Sequence, residues 1–231
     1  MVESASVEIK SLDQIIEAVG TTKALRSIEI TPLSSGRVEE AYLSVRAPVK
    51  AGSLLLKLDS VIEEADVMEA KAKLEEASRA LQRSDTLQQS NGMSEAAIDG
   101  LRAQSKIALA ALKRAQKNLD DRSIRAPFNG LISLSSIEKG SRIKEGDVIA
   151  TLDDLTQVVV EFSVPENLYG MLSLGNTIRA HAAAFPKRSF VGEIIAIDSR
   201  IESTSRSFKV RAVINNPDLA LPGGMFIHVS I

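Results

Sequence analysis

Two stretches of this chain, Ile30 to Asp59 and Ile124 to Asp153, are versions of one another at a constant offset, without a gap. Ile30 meets Ile124, Gly36 meets Gly130, Lys50 meets Lys144, Gly52 meets Gly146, and Leu58-Asp59 meets Leu152-Asp153. Val38 with Ile132, Leu43 with Ile137, Val49 with Ile143 and Leu55 with Ile149 exchange one aliphatic for another. The kinds of residue that match decide what the repeat means: glycines recur where a chain must turn, and aliphatics recur at strand positions. Neither half has enough apolar surface to bury alone, so the two are expected to close one small β unit together. Whatever lies between them is then an insertion carried by that unit.

The insertion has a different texture. From Val61 to Leu119 there is no proline, and Ala, Glu, Lys, Gln, Arg and Leu, all strong helix formers, predominate. Apolar residues fall at Val67, Ala70, Leu74, Ala77 and Leu81, then at Ile98, Leu101, Ala108, Leu112, Ala115 and Leu119. Spacings of three and four, or their multiples, mark a heptad seam on two consecutive helices. Ser90-Asn91-Gly92 breaks the run, and Ser94 followed by Glu95 reads as the N-cap of the second helix. Two helices with a short connection pack antiparallel, and arms of roughly 27 residues span about 40 Å at 1.5 Å per residue. The seam is alanine-rich on one side, which lets the helices approach closely. The charged residues facing away from it read as a solvated coiled-coil face.

On either side of this arrangement the sequence is strand-like. Val7 to Glu17 alternates weakly, Val19-Gly20-Thr21-Thr22 reads as a bend, and Ser27 to Ile30 reads as a short strand. After Asp154 come five turn-punctuated strands: Val158–Val164, 177–184, 190–197, 208–214 and 225–231. A single helical turn at Pro165-Glu166-Asn167-Leu168-Tyr169 follows the first of them. Short strands at this spacing predict a small all-β barrel or sandwich.

Composition excludes several function classes. Of 231 residues only 3% are aromatic against 44% hydrophobic, so the core is aliphatic and spread over modules. A net charge of -2 gives no electrostatic footprint for nucleic acid. The absence of cysteine removes thiol catalysis, disulfides and Cys-based zinc sites. His181 and His228 are far apart in sequence and outside any ligand-like cluster, and Met1, Met68, Met93, Met171 and Met225 are dispersed, which argues against a metal-delivering protein. No Gly-rich phosphate loop follows a strand and no His accompanies a nucleophile. We therefore expect no enzyme: no catalytic residues, no cofactor and no metal site. No stretch of about 18 apolar residues is present.

In this order, the motifs resemble the periplasmic adaptor subunits, or membrane fusion proteins, of tripartite efflux pumps of the resistance-nodulation-division (RND) type. The resemblance covers nearly the whole chain. It rests on Ser35-Gly36-Arg37-Val38, Val49-Lys50-Ala51-Gly52 and Leu55-Leu56-Lys57-Leu58-Asp59, and on Arg125-Ala126-Pro127-Phe128-Asn129-Gly130 with Ile143-Lys144-Glu145-Gly146. It continues in Ser205 to Ala212, Asn216-Pro217 and Leu221-Pro222-Gly223-Gly224-Met225-Phe226. Two departures are visible: Asn129 stands where the family most often has Asp, and an extra glycine separates Pro222 from Met225.

The resemblance implies an α+β fold: an elongated modular chain with a β-barrel, a split lipoyl-like β-sandwich and an inserted antiparallel α-helical hairpin. Residues 1–29 would supply N-terminal strands to a membrane-proximal or β-barrel region. Residues 30–59 and 124–153 would be the two halves of the lipoyl-like domain, 60–123 the hairpin and 154–231 the barrel. It further implies an adaptor linking an inner-membrane transporter, RND type, to an outer-membrane channel, and self-association into a hexameric or trimeric-pair funnel. The implied location is the periplasm, at the inner membrane, through a native N-terminal anchor absent from this chain. Near the tip, Arg83, Leu87 and Ser94 reproduce the family's spacing of residues that meet the channel entrance; read alone, Ser94 is an N-cap and Arg83 a solvated helix residue. Adaptors of ATP-driven exporters or secretion systems share these modules. A lipoyl or biotinyl carrier domain shares the half-motif symmetry, but Leu58-Asp59-Ser60-Val61 offers no lysine where a carrier presents its modified one.

Overall fold

A computed structural model describes residues 15–43, 48–88 and 94–231, with the side chains of 85–88 outside the description. The fold is a mixture of strands and helices, with a helical hairpin and β domains. The chain divides into two compact units, one of residues 28–152 and one that includes Asp153–Ile231 and the described residues up to Ser27.

In chain order the first unit named holds β2 (Gly36–Ala41), β3 (Pro48–Val49), β4 (Leu54–Leu58), α1 (Val61–Gln88), α2 (Glu95–Asp120), β5 (Ser123–Arg125), β6 (Gly130–Ile132) and β7 (Arg142–Ile143). The repeat becomes a pseudo-twofold exchange. β2 pairs with β7 through Gly36 opposite Ile143 and Arg37 opposite Arg142. β3 pairs with β6 through the corresponding residues, Val49 opposite Gly130 and Pro48 opposite Leu131. Each half thus gives a strand to the other. The turns repeat as well: Gly52 N–H donates to Ala126 O, and Gly146 N–H to the matching Pro32 O. Gly52 and Gly146 lie at φ 80° and 83°, where a side chain costs about 1–2 kcal/mol.

Even the caps on these turns correspond. Asn129 Oδ1 accepts from Ala51 N–H at 2.8 Å, and Ser35 Oγ, at the matching position, accepts from Glu145 N–H at 3.0 Å. An acceptor is what position 129 requires, and Asn supplies it as Asp would. The aliphatic matches form the core: Leu55, Leu58 and Leu152 are fully buried, with Ile30, Val38, Ile124, Ile132, Ile143 and Ile149 around them. Burying each such side chain contributes about 1.5–3 kcal/mol, so two short halves share a core that neither could form.

The other unit is a closed barrel. β1 (Glu17–Ile30) and β8 (Ala150–Pro165) lend it most of their length, and β9 (Thr177–His181), β10 (Ser189–Glu202), β11 (Ser207–Asn215) and β12 (Phe226–Ser230) complete it. Strand order is β1-β12-β9-β10-β11-β8, and β1 also pairs with β8, which closes the ring. Inward residues alternate along the strands: Val158, Val160, Phe162 and Val164 on β8 face Phe208, Val210, Ala212 and Ile214 on β11, all buried. A six-residue 3-10 helix, Glu166–Met171, follows β8.

β1 corrects the sequence reading of its start. Val19 to Thr22 is no bend but part of the first half of a 14-residue strand, and the weak strand expected from Val7 lies mostly outside the described residues. Gly20 is there because the neighbouring strand is close: a Cβ on it would meet Val160 Cγ1 at 2.9 Å and Glu161 O at 3.0 Å. Thr22 is fully buried, and its hydroxyl donates to Pro222 O at 2.7 Å and accepts from Met225 N–H at 2.9 Å. Gly-Thr-Thr marks the closing seam of a barrel rather than a turn. Asn216, also fully buried, donates to Leu155 O and Leu221 O and accepts from Leu221 N–H, fixing the loop ahead of β12.

Candidate functional site

The α1–α2 hairpin stands between the two halves of the β unit, and most of its described residues are exposed. Its first helix starts where the first half-motif ends: Asp59 Oδ1 accepts from Val61 N–H, and the Ser60 hydroxyl donates to Glu64. Glu63 and Glu64 complement the positive end of the helix. The matching Asp153 opens no helix, because β8 runs straight through it.

Inside the hairpin, α1 turns Ala70, Ala77 and Ser84 inward at seven-residue intervals, and all three are buried. Ser84 keeps its hydroxyl satisfied by donating to Leu81 O at 2.6 Å. Val67, Leu74 and Leu81 are half-buried between them, opposite a seam on α2 of Ile98, Leu101, Ser105, Ala108, Leu112, Ala115 and Leu119. Ser84 and Ser105 escaped the sequence reading because they are polar, although both continue the heptad. A small side chain at every seventh position of α1 sets the approach of α2.

At the base, Arg122 ties the hairpin to the β unit. Its guanidinium donates to Ser35 O at 2.8 Å and pairs with Glu63 of α1. The Arg122 carbonyl accepts from Leu58 N–H. The forked contact needs the fold to bring Ser35, far away in sequence, alongside Arg122. A Cβ on Gly36 would lie 2.9 Å from the same guanidinium, so that glycine makes room for the clamp.

The three expected tip residues fare unequally. Arg83 is exposed on α1, five residues before its end. Ser94 is the N-cap of α2, in extended backbone at φ -74° and ψ 149°, and its side chain accepts from Ala97 N–H. Leu87 is in α1, but its side chain lies outside the described residues, as does the break expected at Ser90-Asn91-Gly92.

The barrel carries its own constellations. Glu161, on β8, accepts from Lys23 of β1 at 3.1 Å and from Arg211 of β11 at 3.0 Å; the Lys23 hydrogen bond, then Arg211, holds its carboxyl below the usual range despite partial burial. Asp154 is buried and accepts from the Thr156 hydroxyl at 2.6 Å, from Thr156 N–H and from Arg26 at 2.9 Å. Those contacts, the Thr156 hydroxyl first, push its pKa down against the opposing effect of burial. His181 and His228, remote in sequence, stand directly opposite each other on β9 and β12, both exposed. No group of three or more His, Cys, Asp or Glu side chains among the described residues is placed to hold a metal ion. None of the described helices is long and apolar enough to cross a membrane.

Residues 157–231 match the family model of the CusB-like β-barrel domain. The nodulation protein NolF of Rhizobium meliloti is 28% identical over 91% of this chain and 61% of its own length. The antibiotic efflux pump periplasmic linker protein ArpA of Pseudomonas putida is 28% identical over 93% of this chain and 62% of its own. The chain thus spans about three fifths of the length of these relatives. A MacA–MexA chimera containing the Pseudomonas aeruginosa MexA α-hairpin domain superposes with a TM-score of 0.86 over 95% of this chain and 81% of the other, at 20% identity, which establishes a shared fold.

Proposed function

We propose, from the premise that this chain is a membrane fusion protein of the RND-type pumps, that it is an adaptor: it links an inner-membrane transporter to an outer-membrane channel in a tripartite export pump. The observation that carries the reading is a helical hairpin spliced between the two halves of one interlocked β unit, in a chain that then continues into a CusB-like barrel. An insertion at that point gives the β unit a long arm, and the arm's contribution is reach and contact rather than chemistry. Of the relatives, ArpA bears the name of an efflux pump periplasmic linker protein.

On this reading the division of labour follows the elements. Residues 30–59 and 124–153 form the lipoyl-like support, 60–123 the docking arm and 154–231 the barrel, with residues 1–29 adding strands on the barrel side. Arg83, Leu87 and Ser94 dock to the channel, supported by the exposed position of Arg83 and by the place of Ser94 at the start of α2. The protein works in the periplasm, held at the inner membrane by an N-terminal anchor, and assembles into a hexameric or trimeric-pair funnel. An RND-type transporter is the partner favoured by the barrel match.

The test uses the full-length protein carrying this chain. Deleting its gene should sensitise cells to exported compounds, and the wild-type protein should co-purify with one RND-type transporter and one outer-membrane channel after crosslinking. Recovery of an ATP-driven transporter instead would move the protein to the other exporter class. Recovery of neither partner, with resistance unchanged on deletion, would end the adaptor reading.

A further inference from the structure

We propose that His181 and His228 form a binding site for a divalent transition-metal ion of the Zn²⁺, Cu²⁺ or Ni²⁺ type on the outer face of the barrel. They are the chain's two histidines, separated by most of the barrel sequence. Antiparallel pairing of β9 and β12 puts them in register, His228 opposite His181, with Val229 opposite Ala180 and Ser230 opposite Arg179 as the next pairs. Alternation fixes the faces: Ala180 and Val229 are buried, so both imidazoles point outward on the same side. Directly opposed residues of an antiparallel pair hold their Cβ atoms about 4.5–5.5 Å apart. From that separation two imidazole nitrogens can turn toward one ion.

The surroundings are consistent with a cation lodging there. Both rings border one open concavity of ≈ 560 Å³, together with Glu17, Val19 and Ser230. On the far side of His228, β1 places Val19 opposite it and Glu17 opposite Ser230, so the Glu17 carboxylate stands one row away on the same face. Ser189 of β10 lies opposite His181, and Arg179 of β9 lies in the row that holds Glu17. One carboxylate and one guanidinium nearly balance, leaving the imidazole pair to decide binding. Imidazole is a borderline ligand that suits Zn²⁺, Cu²⁺ and Ni²⁺ and not Mg²⁺ or Ca²⁺. With two protein donors, water completes the coordination and the site remains open to exchange.

Sequence separation hid the pair. The strand register that creates it is a long-range property of the barrel, and the pairing is independent of the hairpin and of any docking role.

Tag-free protein at pH 7.5, where binding needs neutral imidazole, is titrated calorimetrically with Zn²⁺, Ni²⁺ and Mg²⁺, and with Cu²⁺ followed by electron paramagnetic resonance. One Zn²⁺ or Ni²⁺ per chain, no Mg²⁺ binding, and nitrogen hyperfine structure from two imidazoles on Cu²⁺ are expected. Joining two weak contacts into one chelate gains on the order of 10²–10⁴ in affinity, so His181→Ala or His228→Ala alone should weaken Zn²⁺ binding by about a hundredfold. Each should also leave a single nitrogen on Cu²⁺. Both residues are exposed, and unchanged circular dichroism of the variants would show that folding is intact. Failure of the wild type to bind Zn²⁺ or Ni²⁺, or single variants that bind as tightly as wild type, would overturn the site.

Discussion

Asp154 shows how much one side chain can organise: a carboxylate 5% exposed gathers three donors from two strands at the edge of the barrel. Replacing it with Asn keeps an acceptor for Thr156 but removes the charge that Arg26 meets. We expect Asp154→Asn to lower stability at pH 7 by about 1.5 kcal/mol, the low end for a hydrogen bond to a charged group because Arg26 is more than half exposed. The pH dependence has a definite sign. The folded pKa is depressed, so the stabilisation is complete above the ordinary Asp value of about 3.9 and is lost as pH falls through the lower folded value. Urea midpoints for wild type and variant should therefore differ at pH 7 and converge with acid below about pH 4. A constant gap across that range would assign the effect to packing instead. The partners of Asp154 come from β1 and from two residues on, and only the former needed the tertiary fold.

At the level of elements, the hairpin yields two expectations. The first concerns the small residues of α1: Ala77 is buried at the seam, and Ala77→Leu inserts three carbons where α2 already lies. Overpacking of this kind costs about 1–3 kcal/mol, and thermal denaturation should show it, while Glu76→Leu on the exposed neighbour should not. The second concerns the base, where Arg122→Ala removes both the Ser35 and the Glu63 contacts. Amide exchange should accelerate in residues 58–66 and 117–122 while the middle of the hairpin keeps its protection. Arg122→Lys should not rescue it, since an ammonium lacks the fork that reaches a carbonyl and a carboxylate at once. Equal exchange in Ala variant and wild type would make the clamp ornamental. These elements also show what was legible. Helices, seam and half-motifs each have their own period, so aliphatic spacing and recurring glycines were enough to find them. Ser84, Ser105 and the unbroken β1 were missed because a serine at a heptad position and a glycine within a strand carry the same letters as a cap and a turn.

For the whole molecule, the order of modules could be read from the chain, because an insertion between two repeats leaves a mark that composition cannot imitate. A barrel could be expected as well, but its strand order could not, since β1 meets β12 and β8 across most of the sequence, and no local pattern encodes that register. The α1–α2 hairpin is where the proposed docking can be tested. If Arg83, Leu87 and Ser94 meet an outer-membrane channel, their side chains must give up water in the assembled pump and keep it in the free protein. Arg83 is exposed and Ser94 opens α2, so neither carries the seam. In the full-length protein, Leu87→Asp places a charge where an apolar anchor has to desolvate, and Arg83→Ala removes a forked donor. Truncations at interface hot spots cost about 2 kcal/mol or more. The double variant should fold and accumulate normally, retain its inner-membrane transporter on co-purification, lose the channel, and fail to restore efflux in cells lacking the wild-type copy. Ser94 requires a different control, because Ser94→Ala also removes a helix cap worth about 1 kcal/mol. Ser94→Asn keeps the cap, so a loss of channel binding in Asn and Ala alike would assign the serine to docking, and a loss in Ala alone would assign it to the helix. Full resistance in cells carrying the Arg83→Ala, Leu87→Asp protein at wild-type abundance would remove the tip from the docking surface.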